Sequence, residues 1–400
     1  VRIIPNRDYR FLVAGGIVSE LGDWAARLAL ALLVFERTGS ATAVGLTAAL
    51  LVLPWLGPGQ WLAAQGDRLD RRRLLFLSDA VRGALFLVIG LTDLPLGALL
   101  PLVALAATID PVFEANRAAL LVDVVSKEDY ADGIQFNHVL DQGAQVFGYV
   151  AGGVLVAWLG SGPALAVNGV TFLASALLIS AIRRSSAGER PSVSPSLANA
   201  WRFLRADRLC LLAAAVTAVT LFASMAVEAQ AAVYGSIVAG LSGRGVGLLA
   251  AAVPLATLVG VMLVRTAGDD EALLRRGLLI GAAAGAPGAI LLGVGGSGPL
   301  AFGGYAAAGL VVVFGTTANI VVGRRIPDGI RASTFAVLQG AMFVAVSLGA
   351  VAGGLTSDLL SPQGAGAMAM ALACATCAAG VLGLRRLGRS TPTEGTKVPV

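Results

Sequence analysis

Burying a charged side chain in an apolar segment is costly, so where one occurs it points to chemistry. Glu20, Asp23 and Arg27 follow one another at i, i+3 and i+7 in an apolar run and share one helical face. Asp110, Glu114 and Arg117 repeat the arrangement at i, i+4 and i+7, with Asn116 beside them and Pro111 placed to bend the helix. His138, Asp141 and Gln145 form a third such face. A carboxylate beside a cation can lose and regain its proton as the pair forms and breaks, which is the physical requirement for coupling a proton to another event. Two readings stand for the first group. Either Glu20 or Asp23 meets a proton or a solute, or Asp23 and Arg27 form a permanent i, i+4 pair that only eases insertion. Arg117 is either part of the coupling or an anchor that snorkels to the interface. In the third group Asp141 is the candidate, and His138 reads as a polar boundary residue. Asp79 and Arg82, at i and i+3, read as a pair that steadies itself near one mouth of the bundle. Later in the chain Glu228, with Gln230 nearby, is the clear charge within an apolar run, and Asp358 is expected at the outer end of another. Acid–base chemistry is thus concentrated in the first half.

These residues need a scaffold of apolar helices. Of the 400 residues 56% are hydrophobic and 13% charged, with a mean hydropathy of +0.81. Soluble domains carry about 25% charged residues. Long unbroken apolar runs, without the period-two alternation of a barrel, predict helices that satisfy their own backbone in lipid. With about 20 residues per crossing, twelve segments emerge: 11–35, 41–64, 74–92, 96–121, 136–159, 163–182, 209–234, 245–265, 274–294, 299–322, 332–356 and 364–384. With the N-terminus inside, 24 of the 29 Lys and Arg fall on the cytoplasmic side and only Arg37 and Arg244 outside. That asymmetry places both termini in the cytoplasm. The start of the chain reads as a retained first span, with no separate cleavable leader. The net charge of +5 belongs to these orienting loops, so no nucleic-acid partner is inferred.

The chain also repeats. AQVFGYVAGG at 144–153 and AVSLGAVAGG at 345–354 share A-x-x-x-G-x-V-A-G-G at an offset of 201 residues. Gly148, Gly152 and Gly153, and likewise Gly349, Gly353 and Gly354, are spaced to let helices pack closely. The expected fold class is an all-α membrane protein of twelve transmembrane helices in two pseudo-symmetric six-helix bundles. The first bundle covers 1–182 and the second 209–386. A cytoplasmic linker at 183–208 joins them, and a disordered tail covers 387–400. Within the linker, Ala198 to Arg208 suits a helix lying on the membrane surface, with Trp201, Phe203 and Leu204 toward lipid and Arg202, Arg205 and Arg208 toward headgroups.

The loop AAQGDRLDRRRLL at 63–75 holds Asp67, Arg68, Asp70 and Arg71 to Arg73. Arg71 to Arg73 serve as orienting charges, whereas Asp67 suits a latch that breaks when the halves rock. The loop resembles the signature G-x-L-A-D-R-x-G-R-R of the major facilitator superfamily: Asp67, Arg68, Arg71 and Arg72 match, and Ala63, Gln65, Gly66 and Asp70 depart. The fifth span resembles the antiporter signature G-x-x-x-G-P-x-x-G-G through Gly148, Gly152 and Gly153, with Ala144 and Tyr149 departing. Leu21-Gly22-Asp23 and WRFLRAD at 201–207 resemble the exporters of macrolides and enterobactin. The resemblance implies the major facilitator fold, proton antiport and efflux, with Arg117 as the nearest counterpart of an arginine that assists coupling in span four.

Other chemistries lack their residues. There is no GxxxxGK[ST], and one histidine makes HExxH impossible. Cys210, Cys374 and Cys377 read as small packing residues, so no metal or cofactor is called for. The sequence therefore points to a non-enzymatic secondary transporter in the cell's inner (plasma) membrane, a monomer exporting a small amphipathic molecule against protons. Trp24, Trp55, Phe113, Tyr149, Phe222, Tyr305 and Phe343 are available to clasp such a solute. The alternatives are an uptake symporter or lipid transporter of the same fold, or a non-transporting receptor.

Overall fold

The computed structural model describes residues 6–66, 70–125, 130–183, 197–264, 269–296 and 298–389. Twelve long helical segments run through them. In the first half these are Arg7–Thr38, Ala41–Val52 continued through Leu53–Leu56 and Pro58–Gly66, Arg71–Leu91, Leu96–Val124, Tyr130–Leu159 and Ser161–Ser180. In the second half they are Arg208–Glu228 continued through Ala231–Val233 and Tyr234–Val238, then Gly243–Leu263, Asp270–Val294, Gly298–Arg325, Arg331–Leu359 and Pro362–Arg389. Numbered in this order, eleven are long and apolar enough to cross a membrane. The first is the exception, because Glu20, Asp23 and Arg27 interrupt its apolar character.

Helix ends follow local chemistry. Asn6 caps the first helix by accepting from the N–H groups of Asp8 and Tyr9, and its side chain donates to the Val124 carbonyl at 2.7 Å. That helix stops at Gly39, whose φ of 63° a side chain would strain. Pro54, Gly57 and Pro58 break the second helix at Leu53–Leu56. The seventh helix breaks just after Glu228 and resumes with a wider turn, in which the Ala239 N–H donates to the Tyr234 carbonyl.

Each half packs by the same plan. The first helix lies against the fifth and sixth, the third against the fourth and sixth, and the second against the fourth. Adding six to every number gives pairs that are also packed: seventh with eleventh and twelfth, ninth with tenth and twelfth, eighth with tenth. Between halves, the second helix packs on the eleventh and the fifth on the eighth, contacts that exchange with each other under the same operation.

The short linker helix, Leu197–Ala206, departs from expectation in one respect. Trp201 is exposed, but Leu204 is buried together with Ala200, and the helix packs on the eleventh helix. Burying those apolar groups on protein leaves less of the helix to face lipid.

Glycines bring the halves together at the end that carries residues 39–45. A Cβ at Gly153 would lie 2.8 Å from the Gly247 Cα. One at Gly354 would lie 2.8 Å from the Thr42 Cα, and one at Gly45 would strike the Ala350 carbonyl. At the same end Asp358, on the eleventh helix, takes over the start of the second. Its carboxylate accepts from the Ser40 hydroxyl at 2.8 Å and from the N–H groups of Ala41 and Thr42, each at 2.9 Å. A carboxylate there satisfies otherwise unpaired donors and the positive end of the helix dipole. Losing such a cap costs about 0.5–2 kcal/mol. Asp358→Ala is therefore expected to lengthen and broaden the distance between spin labels at Leu91 and Leu360, read by electron–electron resonance. An unchanged distribution would mean that the glycine contacts alone hold this end shut.

At the opposite end Asp207 caps the seventh helix through the N–H groups of Leu209 and Cys210 and pairs with Arg325 at 2.8 Å. Burial pushes its carboxyl up, but the Cys210 N–H and Arg325 outweigh burial and hold it below its ordinary value. A depressed folded-state value means stability that is present above the unfolded value of about 3.9 and is lost as pH falls through the folded one. Asp207→Asn should flatten the acid limb of a melting-temperature profile in detergent. An acid limb identical to that of the parent chain would refute the assignment.

Candidate functional site

A cavity of about 480 Å³ lies between the halves. Glu20, Trp24 and Arg27 reach it from the first helix, Asp110, Glu114 and Arg117 from the fourth, and Asp141, Gln145 and Tyr149 from the fifth. The second half contributes Met225, Glu228, Gln339 and Phe343. The break in the second helix presents Trp55, whose ring stands 5.5 Å from that of Phe343 across the cavity.

The charges sort into three groups. In the first, Arg82 of the third helix gathers carboxylates from three helices: Asp23 at 2.7 Å, Asp110 at 3.1 Å and Asp79 at 3.7 Å. Its guanidinium also lies 4.0 Å from the centre of the Phe172 ring, a cation–π contact. The intrahelical Asp23–Arg27 pair open to the sequence is not the one formed. Asp23 turns to Arg82, and Arg27 stacks on the Trp24 ring at 4.4 Å. Guanidinium and carboxylate on neighbouring helices can meet in plane, whereas Trp24 offers Arg27 a flat face on its own helix.

In the second group Arg117 bridges two helices, holding Glu114 at 2.8 Å and Asp141 at 3.2 Å. Gly16 leaves room for it, since a Cβ there would be 3.2 Å from Arg117 Nη1. Pro111 sits in an unbroken helix, Leu96–Val124, against Gly59 of the second. The third group joins the halves. Tyr149 Oη donates to Glu228 Oε1 at 2.8 Å, and Gln145 Nε2 donates to the same oxygen at 3.3 Å. Tyr149 packs edge-on against Trp24 at 5.3 Å, and Trp24 Nε1 donates to Glu20 at 3.0 Å. One chain of contacts thus runs from Glu228 in the second half to Glu20 in the first.

The structure brings together Glu20, Asp23, Arg27, Asp110, Glu114, Arg117, Asp141 and Glu228 in or beside one cavity. It adds Arg82, Asp79, Tyr149 and Gln145 as their partners. Arg82 carried a signal in the sequence, an arginine deep in an apolar run, but its neighbour Asp79 offered a local partner that hid its reach. Tyr149 was visible as the departure from the antiporter signature. Among the proposed gate residues, Asp67 and Arg68 lie outside the described residues, as does the His138 side chain. Arg71 opens the third helix, and Arg72 donates to the Ile182 carbonyl at 2.6 Å. In the glycine sets, Gly148 and Gly152 face Leu21 to Ala25 of the first helix, and Gly349 and Gly353 face Phe222 and Ala226 of the seventh. Gly153 and Gly354 face the opposite half.

The chain is 26% identical over 372 residues to YfiS of Bacillus subtilis, an uncharacterised MFS-type transporter, covering 87% of this chain and 86% of that one. It is 27% identical over 195 residues to the multidrug efflux pump Tap of Mycobacterium tuberculosis, covering 46% of each. Among solved structures, a bacterial homologue of the human lysosomal transporter Spinster, inward-facing and unoccupied, aligns with a TM-score of 0.75 at 15% identity over 96% of this chain and 98% of that one. The nucleoside transporter NupG aligns with 0.74 at 9% identity over 94% and 99%. At those identities the structures show a common fold. The family model of the Major Facilitator Superfamily matches residues 12–270, and the chain belongs to that superfamily.

Proposed function

We propose that this chain is a proton-driven exporter of a small amphipathic molecule, working by alternating access. The observation that carries the reading is one cavity lined by carboxylates and arginines and placed between two halves of repeated packing. The halves are joined by glycine contacts and by Asp358 at the end of the second–eleventh helix pair that carries residues 39–45. Repeated halves rocking about a central site are the physical form of a secondary transporter. The excess of Lys and Arg in the loops at the other end makes that end cytoplasmic, so the conformation described is closed to the outside. Trp24, Trp55, Tyr149 and Phe343 supply apolar faces for the solute, and the carboxylates supply proton sites. Export, rather than uptake, is supported by the likeness to Tap.

The working unit is a monomer of two bundles, 1–182 and 209–386, in the plasma membrane with both termini inside. Asp67 and Arg68, with Arg71 and Arg72, are the proposed cytoplasmic latch. Closing it requires the Asp358 clasp to open, so the two ends alternate.

The test uses proteoliposomes with an acidic lumen and fluorescent amphipathic dyes such as ethidium. Dye is expected to accumulate while the lumen turns alkaline, and both effects should disappear when the gradient is collapsed. Glu20→Gln combined with Asp23→Asn should slow gradient-driven flux at least tenfold. Accumulation that ignores the gradient would sink proton antiport, and full gradient dependence in the double variant would remove the first helix from the coupling.

A further inference from the structure

Asp79 and Arg82 have no place in the cavity wall, yet they are the most deeply buried charges in the bundle, at 0% and 2% exposure. They sit behind that wall. A space of about 20 Å³, enough for roughly one water molecule, is lined by Asp23, Arg27, Arg82 and Asp110. Arg27, Leu30, Leu51 and Asp110 also line the main cavity, so these four residues form the partition between the two spaces.

Charge balance decides what this cluster can hold. Arg82 faces three carboxylates within 4 Å, Asp23, Asp79 and Asp110. Glu20 of the first helix also acts on Arg82, Arg27 of the same helix acts on Asp110, and Asp110 and Glu114 face each other one turn apart. The sixth helix presents Phe172 and the second presents Trp55, neither of which can balance a charge. Asp23, Asp79 and Asp110 therefore face Arg82 and Arg27, and Glu20 faces Arg117, itself held by Glu114 and Asp141, so carboxylates outnumber arginines two to one, six against three. A bundle interior does not keep such an excess of negative charge; it takes up protons instead. Geometry singles out the seat. Asp23 and Asp110 both hold Arg82 Nη2 at hydrogen-bonding distance, while Asp79 stands 3.7 Å from Nη1. Asp79 Oδ1 accepts from Ser19 at 3.4 Å, and the Ser175 hydroxyl of the sixth helix approaches the carboxyl, while Oδ2 makes no hydrogen bond of good geometry among the described residues.

We infer that Asp23, Asp79 and Asp110 around Arg82 form a proton-binding site set behind the wall of the solute cavity and joined to it by Asp110, with the proton seated on Asp79 in this conformation. Arg82 is its positioning residue: it engages Asp23 and Asp110 at hydrogen-bonding distance and leaves Asp79 as the acid. When a proton arrives from the cavity it adds to the Asp110 carboxylate, whose bond to Arg82 then breaks. Arg82 is freed for Asp79, which releases its own proton, so one proton enters and one leaves. The inference rests on the proton-coupled reading above for its purpose, though not for its test.

That test is infrared spectroscopy of the full chain in nanodiscs at neutral pH, with no solute added, reading the carbonyl stretch of protonated carboxyls and its shift in heavy water. Asp79→Asn, nearly isosteric, is expected to remove the intensity of one carboxyl. Arg82→Gln, which takes away the cation, is expected to add intensity, an effect that a merely structural arginine would not produce. A band unchanged in Asp79→Asn overturns the proposal, as does a band that falls in Arg82→Gln. Should Arg82→Gln fail to fold, Asp79→Asn decides alone. If gradient-driven dye flux is missing from the parent chain while the band behaves as expected, the transport reading fails and the proton site stands.

Discussion

Backbone-to-backbone contact through glycine is the constraint on which the rest of this structure depends. Lipid tails are as apolar as the helices, so apolar burial does not by itself drive one span onto another in a membrane; close packing and a few polar bonds do. The fifth and eleventh helices each carry the same glycine pattern and use it in two directions. Gly148 and Gly152 seat the fifth helix on the first, within its own half, while Gly153 seats it on the eighth, in the other half. Gly349, Gly353 and Gly354 do the same for the eleventh helix, against the seventh and the second. These two helices carry the contacts between the halves, and both line the cavity.

Charges fill that space under a second constraint, that buried ions need partners. Removing one member of a buried pair costs about 3–5 kcal/mol, because the other is left uncompensated. Partners here come mostly from neighbouring helices rather than from the next turn of the same one. Arg82 ties the first, third and fourth helices together, Arg117 ties the fourth and fifth, and Glu228 ties the seventh to the fifth. Each tie is a polar bond that can be exchanged without unpacking the glycine contacts. A bundle built this way can alter its charge pattern while its helices stay packed.

This division explains what the sequence could and could not disclose. Helix number, the two halves and the candidate carboxylates were legible, because they depend on local composition and on spacing along one helix. Pairing was not. Asp23 has Arg27 four residues away and chooses Arg82, 59 residues away. Spacing ranks partners on the same helix and is silent about those on another. Tyr149 was legible only as an oddity, a hydroxyl where the antiporter pattern has proline. Its role depends on Glu228 lying at the end of a helix that breaks there, which apolar runs do not reveal.

The repeat makes the distribution of charge meaningful. At the offset of 201 residues Glu20 corresponds to Leu221, Asp23 to Ser224, Asp79 to Ile280, Arg82 to Ala283, Asp110 to Val311, Glu114 to Gly315, Arg117 to Ala318 and Asp141 to Met342. Each of these eight charges of the first half meets a small, apolar or uncharged residue in the second, although the helices pack alike. One pair breaks the rule: Arg27 corresponds to Glu228, opposite charges at equivalent points of the first and seventh helices, both facing the cavity. Packing is thus conserved between the halves where these buried charges are not. Among the described residues, the one charged side chain that lines the cavity from that half is Glu228, and it meets the first half's residues across it. Glu228 is therefore the place where the second half meets the ionisable groups of the first, through Tyr149, Trp24 and Glu20.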